Sequence, residues 1–121
     1  MRALIVDDSK AIRMIIGRTL KELGFDVAEA CHGREALERL KEEDKFDLAM
    51  VDWNMPEMNG FDFVCAVRAD AAYNDLQLVM VTTEDETSQV IKALEAGANE
   101  YIMKPFTKDM IEGKLQMLGL I

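Results

Sequence analysis

Four apolar segments of this 121-residue sequence are each followed by residues that could do chemistry. These residues are Asp7–Asp8, Asp52, Thr82 and Lys104. Short apolar runs bounded by polar residues indicate buried strands. The carboxyl ends of parallel strands meet at one edge of a sheet, where open α/β folds bind their ligands. If the strands are parallel, these side chains share one site.

The residue types at this edge favour phosphoryl transfer. Three carboxylates held together repel one another by roughly 4 kcal/mol per pair at ~4 Å and an effective dielectric of ~20, so a cation is needed. A set of oxygen ligands without thiolate or imidazole suits Mg²⁺, and a phosphate oxygen is often one of the ligands in the coordination shell of this ion. We therefore predict Asp52 as the nucleophile and Asp8, supported by Asp7, as metal ligand. Thr82 and Lys104 are predicted to bind the phosphoryl oxygens.

Each of these residues also has an ordinary structural explanation. A strand-terminal Asp is often a turn former or a helix cap. Lys104 could be a surface charge, and Thr82 a turn residue. The occurrence of the whole set at the ends of four strands is what favours a functional site.

The rest of the sequence predicts five parallel strands alternating with five helices, a doubly wound α/β fold. Ser9 or Asp8 can cap the first helix, Gly24 can end it, and Thr107 can cap the last. The predicted strands are Ala3–Val6, Phe25–Ala30, Leu48–Val51, Leu76–Val81 and Glu100–Met103. The inward positions predicted for the helices include Ile12, Ile15, Ile16, Leu20, Leu23, Ala36, Leu37, Leu40, Phe63, Val64, Val67, Val90, Ile91, Leu94, Ile111, Leu115 and Leu118.

Composition excludes several classes of function. The length fits a single domain, residues 1–121, without an effector domain. A net charge of −9 argues against nucleic-acid binding. No apolar run is long enough for a membrane span and no signal peptide is visible, so we expect a cytoplasmic protein without membrane insertion. Cys31 and Cys65 match no ligand spacing and are expected to be buried or half-buried free thiols, and His32 a surface loop residue.

Five motifs give the chain an end-to-end resemblance to the response-regulator receiver domains of two-component systems, and most to the single-domain chemotaxis (CheY-type) regulators. The motifs are Val6–Asp7–Asp8–Ser9, Asp52–Trp53–Asn54–Met55–Pro56, Asn59–Gly60, Met80–Val81–Thr82 and Tyr101–Ile102–Met103–Lys104–Pro105–Phe106. The resemblance implies a flavodoxin-like (βα)5 fold with strand order 2-1-3-4-5, the order known for flavodoxin and chemotaxis regulators.

For the chemistry, the resemblance implies that a phosphohistidine donates its phosphoryl group to Asp52. The donor would be a histidine kinase or a histidine phosphotransfer protein. It also implies Mg²⁺ held by Asp7, Asp8, Asp52 and the backbone carbonyl of Asn54. Such a protein is not an enzyme acting on other substrates, because it catalyses only its own phosphorylation and dephosphorylation.

For signalling, the resemblance implies a switch in which Thr82 moves toward the aspartyl phosphate and Tyr101 swings inward. The Lys104–Pro105 bond would be cis. Asn54 and Glu84 would tune the phosphoryl lifetime, and their pairing predicts a fast-decaying phosphoform. A monomer would bind its output protein through the face built by the fourth helix, the fifth strand and the fifth helix.

One departure from the chemotaxis type concerns the segment Thr83–Glu84–Asp85–Glu86–Thr87, which is acidic where such regulators often carry lysines. The output target could therefore differ from a flagellar motor. The protein could also be an intermediate phosphate carrier or sink in a multistep relay.

Three other classes remain as alternatives. A haloacid-dehalogenase-like phosphatase has its nucleophile in an Asp-x-Asp motif after the first strand, where this chain has Asp7–Asp8–Ser9. A flavodoxin-like electron carrier needs a loop rich in Ser, Thr or Gly at that point. A pseudo-receiver would bind partners without phosphorylation.

Overall fold

Five parallel strands form one sheet in the part of the chain that the computed structural model describes, residues 1–43, 45–83 and 87–121. The sheet order is β2–β1–β3–β4–β5, which confirms the predicted fold and strand order. The strands are β1 (Arg2–Val6), β2 (Asp26–Ala30), β3 (Leu48–Asp52), β4 (Gln77–Thr82) and β5 (Glu100–Met103). The helices between and after them are α1 (Lys10–Glu22), α2 (Gly33–Glu42), α3 (Gly60–Arg68), α4 (Thr87–Ala96) and α5 (Lys108–Met117).

Helices cover both faces of the sheet. Alternate residues of its central strands point to opposite sides and so contribute to two separate cores. In β3, Ala49 and Val51 belong to the core on one side, and Leu48 and Met50 to the core on the other. The helical residues buried in the first core include Ala36, Phe63, Val64 and Ala93, and those in the second include Ile16, Leu20, Ile111 and Leu115. Full burial of one such large apolar side chain contributes about 1.5–3 kcal/mol, so the two cores fix the strands that carry the site.

Side-chain caps confirm the predicted helix boundaries. The Ser9 hydroxyl accepts a hydrogen bond from the backbone N–H of Ile12 at 3.3 Å, and the Thr107 hydroxyl accepts one from the N–H of Met110 at 3.2 Å. Gly24, with φ of 96°, follows the end of α1, as predicted from the left-handed conformation that glycine adopts easily.

His32 has a more specific position than the predicted surface loop. It is the N-cap of α2, where its Nδ1 accepts a hydrogen bond from the Glu35 N–H at 3.2 Å. An imidazole nitrogen here takes the place of the hydroxyl or carboxylate oxygen that usually caps a helix.

Three predicted inward residues are exposed instead. Ile15 is 53% exposed, Ile91 63% and Leu94 38%. In α1 and α4 fewer apolar side chains are buried than the spacing of apolar residues predicted. Ile16 and Ala93 face the sheet, and the neighbouring apolar residues lie outside the contact.

The cysteine prediction was right about the thiols being free and wrong about their burial. Cys31 and Cys65 are both free and both exposed. Cys65 lies on the outward side of α3, and Cys31 lies in the connection between β2 and α2. Among the described residues, no helix is both long and apolar enough to cross a membrane.

Candidate functional site

The carboxyl ends of β1 and β3 bring the three predicted carboxylates together. Asp7 and Asp8 follow β1 directly, and Asp52 is the last residue of β3. One carboxylate oxygen from each lies within 4.8 Å of those from the other two. Asp7 is 1% exposed and Asp52 5%, whereas Asp8 is exposed. Solvent therefore reaches the cluster from the side of Asp8.

The ends of β4 and β5 add the predicted hydroxyl and ammonium groups. Nζ of Lys104 lies 3.1 Å from Oδ1 of Asp52 and 3.8 Å from Oδ2 of Asp7. Thr82 is fully buried, and its hydroxyl donates to the carbonyl of Thr83 at 3.2 Å. The N–H of Lys104 donates to the Thr82 carbonyl at 2.6 Å, which holds the two strand ends together. The sheet thus brings Asp7, Asp8, Asp52, Thr82 and Lys104 to one edge, as the sequence predicted.

Burial makes the two inner carboxylates electrostatically unusual. It raises the pKa of Asp52 to about 6, helped by the charge of Asp7 and opposed by Lys104. Burial also raises the pKa of Asp7, although the Ser9 N–H donates to its Oδ1 at 2.8 Å. Two buried acids share a single ammonium group, so the site is short of positive charge.

The donor set fits a divalent cation. Oδ2 of Asp7 is a buried oxygen that accepts no hydrogen bond from the described residues. An unsatisfied buried acceptor costs about 1–3 kcal/mol, and more when charged. Such an oxygen beside two further carboxylates is suited to Mg²⁺, which prefers oxygen ligands and keeps several waters. The exposed Asp8 leaves room for those waters.

A tight loop after β3 holds the Asp52 end of the strand in place. The Gly60 N–H donates to the carbonyl of Trp53 at 2.9 Å. A Cβ added at Gly60 would lie 2.7 Å from the Asp52 carbonyl oxygen, so only glycine fits this close return of the chain. The side chain of Asn54 is exposed. Its carbonyl as a metal ligand stays a prediction.

Two aromatic residues near the site, Trp53 and Tyr101, lie in different surroundings. Trp53 is 7% exposed, and its ring centroid is 6.2 Å from that of Phe61. Tyr101 is half-buried in β5, with the ammonium of Lys114 4.8 Å from its ring centroid. The switching role of Tyr101 stays a prediction. Glu84 lies outside the described residues.

The Lys104–Pro105 peptide bond is cis, as the resemblance implied. This bond follows β5 directly, at the point where the chain leaves the sheet toward α5.

Sequence reasoning missed Arg13. Its Nη1 donates to the carbonyl of Asp7 at 2.7 Å, and its Nε lies 2.9 Å from Oε1 of Glu29. The guanidinium therefore supports the turn between β1 and α1 that carries the acidic pair. Nothing in the sequence separated Arg13 from the other cations of α1, because its partners are a backbone oxygen and a residue of another strand.

A family model described as the response regulator receiver domain matches residues 3–116. The chain therefore belongs to the response-regulator receiver family, which confirms the resemblance. It is 47% identical over 119 residues to chemotaxis protein CheY1 of Helicobacter pylori, a match covering 98% of this chain and 96% of that protein. It is 49% identical over 117 residues to the chemotaxis protein CheY homolog of Campylobacter jejuni, covering 96% and 90%.

The chain is also similar to solved structures of this family. The structure of chemotaxis protein CheY4 of Vibrio cholerae matches with a TM-score of 0.88 and 37% identity, covering 96% of each chain. The receiver domain of Francisella response regulator 1452 matches with a TM-score of 0.85 and 28% identity, covering 97% of this chain and 94% of that one.

Proposed function

We propose that this protein is a response regulator that accepts a phosphoryl group on Asp52 from the phosphohistidine of a histidine kinase or phosphotransfer protein. The observation that carries the proposal is the position of Asp52. Its carboxylate is nearly buried, lies within 4.8 Å of two further acids, and contacts the Lys104 ammonium at 3.1 Å. Family membership and the chemotaxis relatives support the same conclusion.

In the transfer step, a carboxylate oxygen of Asp52 attacks the phosphorus atom. The P–N bond of the donor breaks, an O–P bond forms, and imidazole leaves. The Lys104 ammonium and the Thr82 hydroxyl, once it turns away from the Thr83 carbonyl, donate to the phosphoryl oxygens. Hydrolysis reverses the state: water attacks phosphorus, the O–P bond breaks, and inorganic phosphate and the free carboxylate result. The protein thus acts only on its own aspartyl phosphate.

Asp7, Asp8 and Asp52, with the Asn54 carbonyl, would hold Mg²⁺. When bound, the cation offsets the charge of the acids and of the transferred phosphoryl group. The unsatisfied Oδ2 of Asp7 supports this assignment.

The donor would dock on α1 and the start of α5. A pocket of about 390 Å³ lies there, lined by Ile12, Ile15, Lys104, Pro105 and Phe106. Since Lys104 also contacts Asp52, a protein seated in this pocket comes close to the acceptor. The sequence of α1 has four cations and one carboxylate, and with Arg13 paired to Glu29 the other three cations still exceed Glu22, a charge that suits an acidic donor surface.

The output partner would bind the face formed by α4, β5 and α5. Large apolar side chains are exposed on it: Ile91 and Leu94 from α4, and Met110 and Met117 from α5. A groove of about 370 Å³ between β5 and α5 includes Tyr101, Met103, Met110 and Met117 in its lining. Flexible methionine side chains adapt well to a partner. Tyr101 in the groove wall would connect this face to the site through β5.

The acceptor is tested with acetyl phosphate and Mg²⁺ followed by intact-mass spectrometry. We expect one phosphoryl group on the wild type and on Asp75→Asn, whose exposed carboxylate is remote from the site, and none on Asp52→Asn. A phosphoryl group retained by Asp52→Asn would overturn the proposal.

The partners are tested by capture from the source lysate. One bait carries Mg²⁺ and beryllofluoride, which mimics the phosphoryl group on Asp52, and the other is Asp52→Ala. A protein captured only by the loaded bait is the output target and decides between chemotaxis and another pathway. Capture of only kinases or phosphotransfer proteins by both baits would instead assign a relay or sink role.

A further inference from the structure

Arg68, the last residue of α3, ties the connections that precede β4 and β5 to the end of α3, at the end of the sheet opposite to the acidic cluster. Its Nε donates to the Gly97 carbonyl at 2.9 Å, and its Nη1 donates to the Tyr73 carbonyl at 2.8 Å. Its Nη2 donates to the Leu76 carbonyl at 2.6 Å and to Oδ1 of Asn99 at 2.9 Å. Two of these acceptors precede β4 and two precede β5. The fixed fork of the guanidinium thus ties together the entries of both strands.

Asn99 extends the pairing of β4 with β5 by one residue. Its N–H donates to the Leu78 carbonyl at 2.8 Å, and its Oδ1 accepts from the Leu78 N–H at 2.8 Å. The same Oδ1 accepts from Arg68, so the guanidinium orients the amide that closes this end of the ladder.

The turn before β5 is shaped around the Arg68 side chain. Gly97 has φ of 125°, and a Cβ built there would lie 2.5 Å from Cγ of Arg68. Burial lowers the pKa of the half-buried guanidinium, but four carbonyl-type acceptors compensate for the lost water. The cluster is therefore a specific arrangement and differs from a solvated surface cation.

β5 needs such an anchor because it is a short edge strand. It has four residues and pairs only with β4, from Val79 opposite Glu100 to Thr82 opposite Met103. Its next residue, Lys104, must place Nζ 3.1 Å from Asp52. A slip by one residue moves a strand by about 3.3 Å and turns its side chains to the other face. The contact with Asp52 would not survive that shift.

We infer that Arg68 is a positioning residue for Lys104: it fixes the entries of β4 and β5 and thereby the register that sets the ammonium beside Asp52. The inference rests on the proposed function, in which Lys104 takes part in phosphoryl transfer. Arg68 itself touches no reacting atom.

The test is a double-mutant cycle on the rate of phosphorylation by acetyl phosphate at saturating Mg²⁺, read by intact-mass spectrometry. The variants are Arg68→Gln, Lys104→Ala and both together. Each is measured well below its own unfolding temperature. Arg39→Gln is the matched control, because Arg39 pairs with Glu43 at the end of α2, away from β4 and β5.

We expect Arg68→Gln to slow phosphorylation by about tenfold, since small displacements of a reacting group cost one to two orders of magnitude in rate. In the Lys104→Ala background it should have less than about twofold further effect, because a residue that acts through another is not additive with it. Mg²⁺ affinity should change less than about twofold, since the metal ligands lie after β1 and β3. The Arg39→Gln rate should equal that of the wild type.

Two results would overturn the inference. An equal slowing by Arg68→Gln in both backgrounds would mean that Arg68 acts only through general stability. An unchanged rate in Arg68→Gln, with Lys104→Ala slowed, would show that Lys104 holds its place without Arg68. A normal rate in Lys104→Ala would instead contradict the proposed role of Lys104.

If Arg68→Gln does not fold, Asn99→Ser tests the same inference. Asn99→Ser removes the Oδ1 acceptor and leaves Arg68 its three backbone acceptors. It should show the same dependence on Lys104, with a smaller slowing. A full wild-type rate in Asn99→Ser would also contradict the inference.

Discussion

The ammonium nitrogen of Lys104 lies 3.1 Å from Oδ1 of Asp52 and 3.8 Å from Oδ2 of Asp7, so one cation serves two buried carboxylates unequally. Only the Asp52 contact is a hydrogen bond. Oδ2 of Asp7 accepts none from the described residues. The negative charge of these two carboxylates therefore exceeds what Lys104 offsets, and a cation or a proton bound to them would reduce that excess.

The first prediction concerns stability without metal. The pKa of folded Asp52 is about 6, against an ordinary value of 3.8, so the folded state binds this proton more tightly than the unfolded state. The charged carboxylate thus destabilises the fold above about pH 6, and the penalty disappears as the pH falls to about 4. With EDTA present, Asp52→Asn should raise the free energy of unfolding in urea by about 2–3 kcal/mol near neutral pH.

The same substitution should have little effect near pH 4, where Asp52 is largely protonated in the folded state. Asp75→Asn, which removes an exposed carboxylate, serves as the control at both pH values. Equal or lower stability of Asp52→Asn at neutral pH would contradict the raised pKa.

The second prediction concerns Mg²⁺ binding. Because the three carboxylates come together only in the folded state, Mg²⁺ should stabilise the protein by about 2.7 kcal/mol at a concentration one hundred times its Kd. Trp53, which follows Asp52 and is 7% exposed, should report the same binding by fluorescence. Asp8→Asn should abolish both effects.

The control for that experiment is Asp26→Asn, which removes an exposed carboxylate at the start of β2. It should leave the Mg²⁺ response unchanged. A stabilisation that persists in Asp8→Asn would place the cation elsewhere.

The third prediction compares two helical glycines. Gly60→Ala puts a Cβ 2.7 Å from both the Asp52 carbonyl oxygen and Cε of Met80, so it should destabilise the protein by about 1–3 kcal/mol. Gly113→Ala, in the middle of α5, meets no atom within 4 Å and should stabilise by about 0.5–1 kcal/mol through helix propensity. Urea unfolding measures both, and opposite signs are the expected outcome.

The fourth prediction concerns the lifetime of the phosphoform. The residue types at positions 54 and 84 of the sequence, Asn and Glu, resemble those of the chemotaxis regulators, so we expect the aspartyl phosphate to decay fast at room temperature. Quenched samples followed by intact-mass spectrometry give the rate after the donor is removed. A phosphoform that persists for hours would be inconsistent with the assigned roles of these residues.

Much of the fold follows from local signals. The apolar runs before Asp7, Asp52 and Thr82 are short and uninterrupted, as strands buried on both faces require. The run before Lys104 is shorter and forms the partly buried edge strand β5. Parallel pairing then brings their ends to one edge. This is why the site residues could be named from strand ends alone.

What the sequence did not reveal depends on contacts between distant segments. Arg68 looks like an ordinary cation at a helix end, and nothing local indicates that two of its acceptors, Gly97 and Asn99, lie beyond the next strand. Ile15 and Ile91 fit a helical stripe, but which edge of a stripe meets the sheet depends on how the helix packs on it. The burial of Trp53 likewise depends on Phe61, which the following loop brings back.

The charge of α1 bears on how partners meet before they touch. The sequence of this helix contains Lys10, Arg13, Arg18 and Lys21 and a single carboxylate, Glu22, on a chain of net charge −9. The excess of cations on α1 favours the approach of an acidic molecule along this helix, although the chain as a whole is acidic. Collisions are thus oriented by the long-range field, which can raise association rates by about 10- to 1,000-fold and fades as ionic strength rises. The charge of α1 should therefore change the rate of association in dilute salt without changing the chemistry at Asp52.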